Sequence, residues 1–277
     1  MALNKIPPTT TLARYWKEGK LTELDCHFED FDVYMDVKVL ADNVKQLLEG
    51  VYSDLKQKLG RSDFHITEDR PLDIDAEVIK HHRKEFLDEL ASVFEKSKRP
   101  KVFRSKVIPQ ILFRVNWELG WNGSFKFYNP YHHAQASHKL AFKHSKKYVE
   151  TKPFLLLFVV FPWFNGLISN FGDSNRIFYR SFSRRVFCGY MRCGTLFKTF
   201  EPNFNSDLTV YSVSKKLSGL IFLEDHSITS PDESNKPYSA YAYLNPNADN
   251  PVAKSAFRDY LLSLPQIEYD DFEFDNY

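Results

Sequence analysis

The chain has 277 residues, enough for one or two domains with a large buried core. At 43% hydrophobic and 26% charged, with 10 Gly and 14 Pro, its composition excludes collagen-like, elastic and wholly disordered proteins. Lys and Arg (37) balance Asp and Glu (36), so a nucleic-acid or membrane partner has to be met by local segregation of charge rather than by a global field.

Residues 12–60 read as mostly helical, because Val37, Leu40, Val44, Leu47, Leu48, Val51, Leu55 and Leu59 recur at three and four, and Gly60 supplies a stop. A polar stretch with Asp63, Glu68, Asp69, Asp73 and Asp75, broken by Pro71, precedes a second helix over 75–97. Its apolar stripe is Ile79, Phe86, Leu87, Leu90, Val93 and Phe94, and Asp73 or Asp75 caps its start. After Pro100 the helical period gives way to alternation, and 101–108, 110–119 and 123–129 read as strands. The last two are joined by the turn Gly120-Trp121-Asn122-Gly123. Helical composition returns over 132–149. Pro153 then introduces the apolar run 154–161, the pattern of a strand buried on both faces at the centre of a sheet. A helix over 173–190, strands over 217–224 and 238–244, and a short helix over 252–263 follow. The division is a helical N-terminal region over 1–70, an α/β domain over 71–265, and an acidic, aromatic tail over 266–277.

Three cysteines, Cys26, Cys188 and Cys193, make neither a disulfide framework nor a zinc spacing, which points to the cytoplasm. Residues 1–11 lack the pattern of a secretory leader. The longest apolar run is about half of a membrane-spanning helix and contains Pro162, so no membrane partner is expected.

From residue 75 to about 161, the order helix, three strands with a hairpin, helix, buried strand resembles the core of the PD-(D/E)XK nuclease superfamily. The resemblance implies an α/β fold with a mixed central sheet flanked by helices, restriction-endonuclease-like. It also implies an Asp or Glu on the second strand and a Glu-x-Lys-like pair on the third, holding Mg²⁺, with a Glu on the preceding helix often helping. Hard oxygen ligands suit Mg²⁺, the ion polarises phosphate and acidifies its water, and a lysine stabilises the developing charge. Carried onto this sequence, Glu118 is the strand carboxylate and, with Glu77, the metal ligand, while Lys126 is the lysine. Ser124 stands where the second acid belongs, and a hydroxyl is a much weaker magnesium ligand than a carboxylate. Either Glu77 or Glu85 on the preceding helix then supplies the acid, or catalysis is lost. Another register draws on Asp63, Glu68, Asp73 and Asp75. A cross-strand ion pair on a solvated hairpin accounts equally for Glu118 and Lys126.

Two basic segments suit a phosphate backbone. Residues 132–148 carry Lys139, Lys143, Lys146 and Lys147 before the first acid, Glu150, and resemble the Gln- and Lys-bearing helix of the same superfamily. Lys139 and Lys143 share a helical face. His132, His138 and His144 stand six apart, a spacing that does not gather metal ligands on a helix. Residues 175–200 hold Arg176, Arg180, Arg184, Arg185, Arg192 and Lys198 and no acid. Repulsion among Arg176, Arg180 and Arg184 is relieved either by phosphate or by the tail acids Asp270, Asp271, Glu273 and Asp275. The interleaved Phe178, Tyr179, Phe182 and Phe187 are either core or platforms for bases. The expected function is a metal-dependent DNA endonuclease in a restriction or defence setting. The alternative is a non-catalytic nucleic-acid- or partner-binding protein on the same fold, and a homo-oligomer is open in either case. Gly-x-Gly-x-x-Gly, P-loop, Gly-x-Ser-x-Gly and His-Glu-x-x-His motifs are all absent, which leaves nucleotide-cofactor, serine-hydrolase and zincin chemistry without their parts.

Overall fold

The computed structural model describes residues 10–17, 20–70, 74, 76–96, 101–116, 128–143, 145–161, 172–200, 207–226, 238–252, 256–262 and 267–270. The chain divides into two compact units, Met1–Ala41 with Asn129–Tyr277, and Asp42–Tyr128. The second unit is therefore an insertion within the first.

The first unit opens with an antiparallel meander of β1 (Thr10–Lys17), β2 (Lys20–Phe28) and β3 (Val33–Val39). The insertion holds α1 (Asn43–Leu59), β4 (His65–Asp69), α2 (Ala76–His81), α3 (Arg83–Lys96), β5 (Lys101–Arg104) and β6 (Leu112–Asn116). The chain re-enters the first unit through α4 (Pro130–Ser137), α5 (Lys139–Phe142) and a 3-10 turn at Ser145–Lys147. It continues with β7 (Phe154–Val160), α6 (Gly172–Cys188), α7 (Val210–Ser214), β8 (Gly219–Asp225), β9 (Tyr238–Leu244), α8 (Ala256–Leu262) and β10 (Ile267–Asp270).

The result is a mixed α/β protein. Seven strands of the first unit form one sheet in the order β1-β2-β3-β7-β8-β9-β10. Here β3, β7 and β8 run parallel, β9 is antiparallel to β8, and β10 is parallel to β9. Leu156, Phe158 and Val160 of β7 and Leu220 and Phe222 of β8 pack on one face beneath Ala134 of α4 and Phe178, Tyr179, Phe182 and Val186 of α6. The other face joins Val33, Met35, Leu155, Ile221 and Ala242 to Phe257 and Leu261 of α8. Cover on both faces is why β7 reads as an unbroken apolar run. Gly219 is required by close approach, since a Cβ there would meet the Leu244 and Leu155 side chains at 2.8 and 2.9 Å.

The inserted unit is a three-stranded antiparallel sheet, β4-β6-β5, with two amphipathic helices on its core. Val44, Leu48, Val51 and Leu55 recur at three and four on α1 and meet Phe86, Leu90 and Phe94 of α3 and Ile66, Phe113 and Val115 of the sheet. Asp42 caps α1 by accepting from the Lys45 amide at 3.1 Å, and Gly60, at φ 62°, closes it in the left-handed conformation that glycine adopts freely.

Several expectations change. The N-terminal region is not helical throughout: Val33, Met35, Val37 and Val39 alternate with Tyr34, Asp36 and Lys38, and that period of two makes a strand. Val37 and Leu40 had merged into the genuine helical spacing of α1. The helix over 75–97 is two, separated at His82. The stretch from 75 to 161 is not one sheet with its helices, because β5 and β6 belong to the insertion and β7 to the larger sheet. The first residues of the acidic tail form β10.

Candidate active site

β2 and β3 pair through Cys26 with Met35, His27 with Tyr34, and Phe28 with Val33, and the ladder stops there. At the same place β2 changes register against β1, with Thr11 opposite His27 but Ala13 opposite Leu24, which inserts an extra residue into β2. Such bulges re-aim side chains. Past the last paired residue, the Asp25 carboxylate takes over from the main chain and accepts from the Val37 amide at 2.7 Å.

Val37 directs its neighbours Asp36 and Lys38 to the opposite face of β3. The Lys38 ammonium lies 2.6 Å from Asp36 Oδ2 and 3.6 Å from Asp25 Oδ2, and it donates to the Val37 carbonyl at 2.8 Å. From the other side Lys147 donates to Asp36 Oδ1 at 2.9 Å. The turn that delivers Lys147 is anchored by Tyr148, which is fully buried. Its hydroxyl donates to the Ala141 carbonyl at 2.7 Å and its ring packs 5.2 Å from Phe154. Two acids and two lysines thus meet within one unit of the fold.

Their environments differ. Asp36 has no exposed side-chain surface, whereas Asp25 is 47% exposed, so the cluster opens to solvent on the Asp25 side. Burial holds the Asp36 carboxyl above its ordinary range, against the opposing pull of Lys38 and Lys147 and with the Asp25 carboxyl adding to the rise. Burial also pulls Asp25 upward. The Val37 amide, the contact with Asp36 and the charges of Lys38 and Lys147 outweigh it, and Asp25 lies below its ordinary range. Lys147 is raised, because its bonds to Asp36 outweigh its own burial. Asp36 Oδ2 has no directed hydrogen bond although it is buried; the Lys38 ammonium touches it as an ion pair. Beside the cluster, His27 stacks on Tyr34 with ring centres 4.2 Å apart, and its Nε2 lies 3.3 Å from Asp32 Oδ1. Asp32 adopts a left-handed φ of 51° in the β2–β3 turn.

The residues singled out from the sequence lie elsewhere. Glu118, Ser124 and Lys126 fall outside the described residues, as do Asp73 and Asp75. Glu77 and Glu85 are on α2 and α3 of the insertion, exposed, and engaged on their own helices by Lys80 at 2.7 Å and His82 at 3.0 Å. Asp63 pairs with Arg61, and Glu68 accepts from the Tyr52 hydroxyl at 3.0 Å. Lys139 and Lys143 are exposed on and just after α5, in the segment that leads to Lys147; Lys139 lies over the Phe200 ring at 5.4 Å. Arg176 is exposed on α6, and Arg180, Arg184 and Arg185 are half-buried. The aromatics between them, Phe178, Tyr179, Phe182 and Phe187, are fully buried and so are core. His138 is committed to the fold, with Nδ1 against the Gln135 carbonyl at 2.7 Å and Nε2 against the Tyr190 hydroxyl at 2.5 Å. Among the described residues no group of three or more His, Cys, Asp and Glu side chains gathers as a metal cluster, and no helix is long and apolar enough to cross a membrane.

Asp25, Asp36 and Lys38 were missed, yet the sequence carries a signal for them. Asp36-Val37-Lys38 spells acid-x-Lys, the preceding strand supplies an acid, and the alternation around both marks them as strands. No protein-family model, curated protein or solved structure compared with the chain matches it.

Proposed function

We propose that this chain is a metal-dependent nuclease of the PD-(D/E)XK type, with Asp25, Asp36 and Lys38 as its site and Lys147 as a second lysine on the buried acid. The observation that carries the reading is the order of the first unit. An antiparallel meander has an acid on its second strand and acid-x-Lys on its third, and a helical segment and a strand parallel to the third follow. That is the order and the spacing that the superfamily resemblance requires, in a different part of the chain from 75–161.

The residues fit a hard divalent cation. Three oxygens, from Asp36, Asp25 and the Val37 carbonyl, converge on the one ammonium of Lys38, and oxygen ligands of this kind are what magnesium takes. Asp25 and Asp36 are the carboxylates that would hold Mg²⁺. When bound, the ion supplies polarisation of a phosphate oxygen and a water of lowered pKa. The chain's own groups do the rest. Asp36 and Asp25 orient through the β3 backbone, Lys38 neutralises charge that builds on the phosphate, and Lys147 keeps Asp36 ionised despite its burial. Lys139 and Lys143 add cations for the phosphate backbone of DNA.

The test is incubation of the full chain with supercoiled plasmid and with single-stranded DNA, in Mg²⁺, Mn²⁺ or EDTA, beside D36N and K38A. Cutting that needs metal and is lost in both variants is expected. Salt-sensitive binding with no cutting in any metal would make this a recognition protein, and activity that survives D36N would remove the site.

A further inference from the structure

We infer that the outer edge of β4 is a self-association surface, on which a second copy of this chain adds its own β4 antiparallel about a two-fold axis. Among the described residues β4 is hydrogen-bonded to β6 alone, so it is an edge of its sheet. Edge strands are templates for pairing with another chain unless something blunts them. Along this edge runs an open groove of about 650 Å³, with β4 as one wall and a single stripe of α1 as the other. The two walls match in length. Five strand residues span about 17 Å, and the stripe from Lys45 to Lys56 rises about 17 Å.

The charge of the groove says what fits it. α1 runs opposite to β4: Lys56 lies over the Phe64 ring at 6.0 Å at one end, and the Tyr52 hydroxyl reaches Glu68 further along. Lys56 and His65 therefore mark one end, and Glu49, Glu68 and Asp69 the other, with Lys45 beyond them. A polyanion would meet repulsion over half its length. A two-fold axis through Thr67 instead lays each end on its opposite, setting His65 across from Asp69 of the second copy twice over, and Lys56 towards the acidic end. Opposite-charge cross-strand pairs of this kind are stabilising, and like-charge pairs at the same positions are destabilising. An interface in which one patch meets its own copy is the usual form of a closed dimer.

Sedimentation of the full chain over a concentration series up to about 100 µM tests this. A monomer–dimer equilibrium that weakens with salt is expected. H65D should weaken the dimer about tenfold, because the symmetry doubles each new acid–acid contact. H65D/D69H, which exchanges the two residues, should restore it. T67K, which sets like charges against each other at the axis, should weaken it as well, and D36N in the other unit should leave it unchanged. Far-UV circular dichroism of each variant separates loss of the dimer from loss of the fold. A chain that stays monomeric at every concentration, a groove that serves a peptide of another protein instead, or a dimer that is indifferent to H65D and T67K overturns the inference.

Discussion

Replacing Asp36 by Asn should make the protein more stable while removing its activity. Two terms oppose each other. The substitution gives up ion pairs with Lys38 and Lys147, whose side chains are 22% and 37% exposed, and pairs that open to solvent are worth about 0–1 kcal/mol each. It also removes a carboxylate with no exposed surface, whose desolvation costs several kcal/mol. The raised pKa of Asp36 shows that the second term is larger, since the fold favours the protonated form. A net gain of about 1 kcal/mol follows, or about 2–4 °C in the unfolding midpoint for a unit of this size. The sign with pH is definite. A carboxyl whose folded pKa lies above its unfolded one contributes stability that is complete below the unfolded pKa and is lost as pH rises through the folded value. The advantage of D36N should accordingly be present at pH 8 and vanish below about pH 4, where Asp36 is protonated in both states. Urea unfolding of the two proteins at both pH values, beside the plasmid assay, measures it. A variant less stable than the parent at pH 8 would show that Asp36 is a net structural ion pair, and the argument that its burial is held for chemistry would fail.

Other substitutions separate the two lysines and test the buried histidine. K38A should cost cutting about 10²-fold or more, the scale of one lost donor to developing charge. K147A should cost less and move the acid limb of the rate profile to higher pH, because Lys147 is one of the groups that pull the Asp36 pKa down; an unmoved limb would detach Lys147 from the site. Burial holds His138 at a pKa of about 4, down from 6.5, so it is neutral in the fold while the unfolded chain takes up a proton. Its contribution is complete above pH 6.5 and is lost as pH falls towards 4, amounting to about 3 kcal/mol. H138Q should flatten that part of the stability curve, and an unchanged slope in urea titrations would place the acid sensitivity elsewhere.

Much of the larger sheet was legible because its signals are strong and local. The apolar run of β7, the aromatic stripe of α6 and the Asn-Pro turn after β9 each specify an element without help from distant residues. The site was harder to see for two physical reasons. Asp36 and Lys38 sit among β-branched residues whose alternation is interrupted by the 3-10 turn at Glu29–Phe31 and then runs into the helical spacing of α1, so periodicity alone assigned them to a helix. The insertion then parts β3 from α4 by Asp42–Tyr128, which has its own helices followed by its own strands. A linear search for helix, strands, helix, strand stops at the insertion, and the carboxylates it finds there, Glu77 and Glu85, are solvated helix-surface pairs. What the sequence could not express is the bulge in β2, because the reach of Asp25 to the Val37 amide depends on where the ladder ends.

The charge count of the site yields one more consequence. With both acids ionised, Asp25 and Asp36 balance Lys38 and Lys147, so the cluster is close to neutral. A phosphodiester gains little by approaching it, and a divalent cation approaching alone must displace an ammonium that already touches both carboxylates. Taken together the two ligands relieve each other, because the cation turns a neutral site into one of charge about +2 and the phosphate gives Lys38 a new anionic partner. Binding of the two is therefore positively coupled, and the coupling must be reciprocal. A divalent cation should tighten DNA binding to the parent protein by about 5-fold or more, the low end of ordinary coupling energies, and the same DNA should tighten the cation by the same factor. Ca²⁺, which takes the same oxygen ligands, allows the measurement by fluorescence anisotropy at constant ionic strength. D25N/D36N should bind DNA without any response to the cation, since the ligands are gone while both lysines remain. If the parent's affinity is equally blind to Ca²⁺, the oxygens around Lys38 do not form a cation site, and the lysines and acids are a salt-bridge cluster of the fold.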